Sequence, residues 1–295
     1  MQVDESTIDE DCKIIPWFLR GNDQVCAYRC ITSYETAEFE SFARCILQRN
    51  NCMGNSATIP KTPDPLPMTH FRGEPLTQEV AVQIFEGHIA PRPGHDSLLR
   101  PAREGGRPDY LPQSWMVVCG QNPAYDYFSC QHQIFYKDAN KSSMVWYDPV
   151  FKVVTLDGHE VWRRRHYRVK PGKLPGQFYF SVLDNGVVSS EYWRILDCAD
   201  DLSWGVFYYA GAASAAGTSY RGFRLASVHS YDNILHSGAL IVSRDGQWPE
   251  MVGEVYRRIE AALARGGIQM WEMFEVSNKD CGAGCSAGPP PLGYA

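Results

Sequence analysis

Apolar and polar positions alternate differently in the two halves of the chain. Beyond residue 114 the apolar residues fall into short runs: Trp115 to Cys119, Phe128 to Tyr136, Met144 to Tyr147, Val150 to Leu156, Glu160 to Val169, Gln177 to Leu183, Glu191 to Cys198 and Ser203 to Tyr209. Runs of this length, rich in β-branched and aromatic residues, predict strands, and the stretch from Cys130 to Tyr136, which alternates polar and apolar residues, reads as one of them. Leu156-Asp157-Gly158 and Leu183-Asp184-Asn185-Gly186 punctuate them as turns. Many short strands at close spacing predict a sandwich or an up-and-down barrel.

Helical spacing appears in three places. Phe39, Phe42, Ala43, Ile46 and Leu47 mark one face of a helix that starts near Glu35. Thr77 is placed to cap a short helix whose stripe is Val80, Ala81, Ile84 and Phe85. Pro249 to Arg265 carries Val252, Val255, Tyr256, Ile259, Ala262 and Leu263 on one side and stops at Gly266-Gly267, with Ile268 to Val276 as a closing strand. The chain thus divides into a small cysteine-bearing helical module (residues 1–52), a Pro-rich connector with a short helix (53–113), a β domain with a C-terminal helix (114–278) and a disordered tail (279–295).

Composition narrows the function classes. Hydrophobic residues at 44% and charged residues at 21% fit a soluble globular protein, and a net charge of −6 gives no reason to expect nucleic acid. No run of eighteen apolar residues spans a bilayer, and the acidic stretch Met1 to Glu10 is no targeting leader, so the chain is expected to be a mature form, a fragment or a gene model without its leader. The aromatic content of 13% suits either a pocket for a long apolar or conjugated ligand or a plain strand core. Cys26, Cys30, Cys45 and Cys52 have spacings that favour disulfides over zinc, and at about forty residues their module is too small to hold together by burial alone. Neither a nucleotide-binding glycine motif nor a metal-ligand cluster stands out.

Two carboxylates are candidates for chemistry. Asp126 follows the turn Gly120-Gln121-Asn122-Pro123, where it would either bond backbone amides or act as an acid with its pKa raised among aromatics. Glu191, in Glu191-Tyr192-Trp193, is either a solvent-facing strand start or a desolvated acid. Trp162-Arg163-Arg164-Arg165-His166-Tyr167-Arg168 is an aggregation-resistant strand edge or a surface for anionic lipid. Cys119 and Cys198 lie within strand runs as buried thiols.

The lone Trp115, the Gly120-Gln121-Asn122-Pro123 turn, Asp126 and Cys130-Gln131, together with Cys26-x3-Cys30-x14-Cys45-x6-Cys52, resemble the violaxanthin de-epoxidase family. Residues 31–40 (Ile31 to Glu40) and 68–73 (Met68 to Gly73) resemble most closely its subgroup of related proteins from plants and algae. Two departures are visible: Gln113-Ser114-Trp115 stands where lipocalins usually carry Gly-x-Trp, and the first half of the family's cysteine-rich domain is absent.

The resemblance implies a mainly β protein, a lipocalin-like antiparallel β-barrel with a C-terminal helix preceded by a small disulfide-linked helical module. It implies reduction of a xanthophyll epoxide (violaxanthin to antheraxanthin and zeaxanthin) with ascorbate as co-substrate, without metal or nucleotide, in the photoprotective xanthophyll cycle of the chloroplast thylakoid. Peripheral contact with thylakoid lipid and a homodimer belong to the same expectation. The alternatives are a carotenoid-binding lipocalin without catalysis and an epoxide isomerase. Glu191, where the family has Asp, and Asp126 take the catalytic roles. Trp115, Gln131, Gln133, Phe135, Tyr192, Trp193 and Tyr208 take the substrate, and Cys130 pairs with Cys281, with Cys285 as the competing partner. Ser219-Tyr220-Arg221-Gly222 and Gly238 to Val242 resemble two parts of one family strand separated by residues 223–237. Gln133 and Tyr136 occupy the places of the histidines linked to the family's acid activation, with His132 offset to the opposite face, so a blunted pH response is expected.

Overall fold

The computed structural model describes residues 65–87, 114–121, 126, 128–137, 145–184, 187–215, 234–279 and 281. A two-stranded hairpin, β1 (His70–Phe71) and β2 (Glu74–Pro75), leads into helix α1 (Gln78–Glu86). Nine strands follow: β3 (Trp115–Gly120), β4 (Ser129–Lys137), β5 (Val145–Val154), β6 (Glu160–Arg164), β7 (Tyr167–Pro171), β8 (Gln177–Asp184), β9 (Val187–Cys198), β10 (Trp204–Ala215) and β11 (Ile234–Ser243). Helix α2 (Gly253–Arg265), a 3-10 turn (Met270–Glu272) and β12 (Phe274–Glu275) are the last elements among the described residues.

Eight of these strands close on themselves. The order is β3-β4-β5-β7-β8-β9-β10-β11, every neighbour is antiparallel, and β11 returns to β3 through Leu240 opposite Gly120 and Val242 opposite Val117. This is the lipocalin-like antiparallel barrel, with α2 packed on its outside. Among the described residues no helix is long and apolar enough to cross a membrane.

Several sequence boundaries shift for identifiable reasons. The runs Met144 to Tyr147 and Val150 to Leu156 join into the single strand β5, which passes straight through Pro149. Proline has no N–H to give to a ladder. Its carbonyl still accepts from the Arg165 amide, but the missing N–H interrupts the ladder at this point, and the run Glu160 to Val169 splits around Arg165 and His166. Ile234 to Ser237, part of the segment expected to separate two halves of a strand, are laddered onto β10 from Ala213 to Ala210. The closing strand shrinks to β12, with Phe274 opposite Gly120. The helix near Glu35, the module of Cys26, Cys30, Cys45 and Cys52, most of the connector, residues 219–222 and the tail with Cys285 lie outside the described residues.

Apolar side chains sort by parity into two layers. Trp115, Val117, Phe135, Val169, Phe178, Ile195, Phe207 and Val242 fill the interior together with Phe85 from α1. Val118, Leu196, Val206, Tyr208 and Ile241 form the outer layer against Ile259, Ala262 and Leu263 of α2. Helix α1 is fixed at both ends: the Thr77 hydroxyl accepts from the Val80 amide, and Gly87 closes it at φ 71. Trp115 Nε1 donates to the carbonyls of Ile84 and Phe85, at 3.0 and 3.1 Å.

Cys130 and Cys281 are joined in a disulfide that ties β4 to the segment after β12. Cys119 and Cys198 are buried free thiols. Burial pushes both thiols up, Cys119 to about 12, so neither is a ready nucleophile. The bridge spans 151 residues of sequence. Replacing both of its cysteines by serine is expected to lower unfolding stability by about 2–5 kcal/mol on chain-entropy grounds, read as a drop in the urea midpoint under non-reducing conditions.

Candidate functional site

The alternation of β9 sends Glu191, Trp193 and Ile195 inward and turns Tyr192 and Leu196 toward α2. On β10 Phe207 and Tyr209 face in, while Tyr208 faces out. The interior then grades in polarity along the barrel axis. At the α1 end the Phe85 ring stacks on Phe135 with centroids 4.7 Å apart, and meets Phe178 at 4.4 Å and Phe207 at 5.0 Å. The next tier is Tyr147, stacked on Phe135 at 4.5 Å, and Trp193, stacked on Phe180 at 4.8 Å.

Polar atoms begin above that tier. Trp193 Nε1 donates to Glu191 Oε2 at 2.9 Å, the Tyr209 hydroxyl donates to Asp126 Oδ2 at 3.2 Å, and the Tyr147 hydroxyl donates to Gln133 Oε1. All of these side chains are buried. Burial first, then the charges of Glu191 and Asp126, push the Tyr147 phenol well above its ordinary range, and the same groups do so for Tyr209. Both phenols therefore remain donors at any physiological pH, and Gln133 is held with its oxygen toward Tyr147.

Room for this cluster comes from two glycines on the inner wall. A Cβ on Gly120 would lie 2.1 Å from Asp126 Cγ, and one on Gly238 would lie 2.5 Å from the Tyr209 hydroxyl oxygen. The two positions sit on paired strands, β3 and β11, so the wall is hollowed where the polar groups rest. Gly238→Ala is expected to displace the phenol and cost about 1–3 kcal/mol, the usual penalty for overpacking, measurable by chemical denaturation.

The residues expected to bind substrate separate into three groups. Gln133 and Trp193 join Asp126 and Glu191 in the cluster. Trp115 and Phe135 belong to the aromatic floor, and buried Gln131 donates to the Phe128 carbonyl. Tyr192 and Tyr208 lie on the outer face beneath α2 and do not line the interior. Tyr147 and Tyr209 were missed: in Tyr208-Tyr209 only one neighbour faces inward, and two adjacent aromatics carry no signal for which. Among the described residues no group of three or more His, Cys, Asp or Glu side chains is placed to hold a metal ion.

Asp148 and His132 are ionisable groups buried on the outer face of the barrel. Burial alone would raise the Asp148 carboxyl, but the hydrogen bond and charge of His166, at 3.1 Å, and the Arg164 guanidinium hold it below its ordinary value. The Tyr136 hydroxyl also donates to it, at 2.9 Å. His132 is fully buried beside Trp162, and neither ring nitrogen has a hydrogen-bond partner among the described residues. Burial lowers its pKa from 6.5 to about 4. A base whose folded pKa is depressed costs the fold stability as pH drops, because the unfolded chain takes the proton first. The loss starts near pH 6.5 and is complete near pH 4, above the range where Asp148 loses its charge. His132→Phe is expected to remove about 2–3 kcal/mol of the stability difference between pH 7.5 and pH 4.5, as measured by urea unfolding at the two pH values.

A family model described as the VDE lipocalin domain matches residues 4–278. No curated protein sequence matches the chain significantly. Among solved structures, lobster apocrustacyanin A1 is similar at 12% identity, covering 56% of this chain and 75% of that one, with a TM-score of 0.36. Apocrustacyanin C2 is similar at 11% identity, covering 56% of this chain and 76% of that one, with a TM-score of 0.37. The cockroach allergen Per a 4 is similar at 12% identity, covering 57% and 85% respectively, with a TM-score of 0.36.

Proposed function

Since the chain belongs to the family of the VDE lipocalin domain, we propose that it is a carotenoid-binding lipocalin whose barrel takes a xanthophyll. The observation that carries this reading is the inward pair Asp126 and Glu191, set above an aromatic interior and held by Tyr209 and Trp193. An oxygenated end group on an apolar body matches both halves of that gradient: its oxygens meet carboxyl and phenol groups, and its carbons meet rings. Titrating the folded protein with violaxanthin is expected to give a saturable shift of the polyene absorption. Absence of any shift or of tryptophan quenching at micromolar protein would refute binding.

The same two carboxylates favour a second reading, violaxanthin de-epoxidation with ascorbate. One carboxylic acid would protonate the epoxide oxygen as its C–O bond opens toward the polyene. Ascorbate would then supply two electrons and a second proton, the oxygen would leave as water, and a C=C bond would form while ascorbate becomes dehydroascorbate. Isomerisation without reductant would need the first of these steps followed by loss of a proton from a carbon next to the cationic polyene, returned to the carboxylate. Product analysis with and without ascorbate separates the three outcomes. If the chemistry occurs, Glu191→Gln and Asp126→Asn are each expected to lower turnover by at least about 100-fold while violaxanthin binding changes less than tenfold.

A further inference from the structure

We infer that the outer edge of β6 joins two copies of this chain, as an antiparallel strand pair centred on Trp162. β6 (Glu160–Arg164) ladders onto β5 alone and stands off the closed ring. Among the described residues no strand pairs with its other edge.

Register decides which backbone groups that edge offers. The Arg165 amide donates to the Pro149 carbonyl at 3.0 Å, and the Thr155 amide donates to that of His159 at 2.8 Å. Both bonds fall in the register that pairs β5 with β6, at its two ends. Backbone bonding alternates along an antiparallel pair, so between those ends Val161 and Arg163 turn N–H and C=O toward β5. Glu160, Trp162 and Arg164 turn theirs to the outer edge. In agreement with this, the carbonyls of Trp162 and Arg164 accept from the side chains of Arg163 and Arg165, each at 3.2 Å. A carbonyl has two lone pairs, so each of them can also take an amide from a second strand.

The residues along this edge are self-complementary. In a pair centred on Trp162, that residue faces Trp162 of the second copy and exchanges both backbone bonds with it. Glu160 then faces Arg164 of the second copy at one end, and Arg164 faces the other Glu160 at the opposite end. By strand alternation these side chains share one face, so an aromatic pair is flanked by two opposite-charge pairs. The Glu160 side chain is 63% exposed where it meets Lys152, which leaves it open to a second cation. Sliding the pair by two residues in either direction breaks both charge pairs and shortens the overlap. Charges that guard an edge against arbitrary strands here select one partner. A contact with this symmetry uses the edge of both copies and stops at the dimer. β6 has only five residues, so the dimer belongs to the weak class, with a Kd of roughly 10–100 µM.

The test is sedimentation velocity on the intact chain, with accessible thiols alkylated so that no intermolecular disulfide forms. At about 2 µM less than about a third of the protein is expected as dimer, and at about 200 µM more than half. Glu160→Arg, which sets like charges opposite each other, is expected to raise the Kd at least about fivefold. Glu254→Arg makes the same charge change on the exposed side of α2 and is expected to leave the Kd within about twofold. Amide exchange followed by NMR reads the register directly in the unaltered protein. The Trp162 amide is expected to slow at least about twofold between the two concentrations, while those of Val161 and Arg163, already turned to β5, stay unchanged. A chain that stays monomeric at the higher concentration overturns the inference. So does a dimer whose Kd rises less than fivefold with Glu160→Arg, or one in which exchange at Trp162 is independent of concentration.

Discussion

A closed ring of eight strands leaves an interior that must be filled, and here the central piece comes from outside the ring, as the Phe85 side chain of α1. The strands alone place inward rings around a gap; Phe85 turns that ring of side chains into a packed floor. The contacts that seat it also close the barrel. Trp115 opens β3 and binds the end of α1, while Arg244, just past β11, binds Gly87 and Ser114 and lies over the Trp115 ring at 5.6 Å. Docking of the helix and pairing of β3 with β11 thus depend on the same few side chains.

Filling one end decides where polar groups can go. Side chains that need hydrogen bonds cannot sit among Phe85, Phe178 and Phe207 without leaving donors or acceptors unmet. They gather where the rings stop, and each is given a partner: indole for Glu191, phenol for Asp126, and amide oxygen for Tyr147. Gly120 and Gly238 complete the arrangement from the neighbouring strands β3 and β11, since any side chain there would occupy the same space. The polarity gradient is therefore a packing result before it is a functional one.

The strands were legible because aromatic and β-branched runs ended at recognisable turns, and α1 and α2 because their stripes and their stops agreed. Asp126 and Glu191 were legible as acids in aromatic company, and the Cys130–Cys281 bridge followed from the family resemblance. What sequence concealed was parity. Tyr192-Trp193 and Tyr208-Tyr209 each offer two aromatics, and a strand sends only one inward; two adjacent aromatics give no signal for which one that is. Phe85 was visible as part of a helical stripe, but nothing local said that this stripe faces the inside of a barrel whose first strand begins 30 positions later, at Trp115. Pro149 misled in the other direction, as a proline tolerated inside a strand at the point where its partner strand breaks.

The buried acids inside and outside the barrel are held in different ways, and the difference bears on what each is for. Asp148, on the outside, meets a guanidinium, a histidine and a phenol, which together favour its charged form and fix β5 to the break between β6 and β7. A carboxylate held by a cation gives up that ion pair when it takes a proton, so such a group is suited to structure. Asp126 and Glu191 receive hydrogen bonds from a phenol and an indole, which are neutral donors. Neutral donors orient a carboxyl group while stabilising its charge less than a cation does. The phenol and the indole thus fix the direction of the two inner carboxyl groups, while the partners of Asp148 join neighbouring strands.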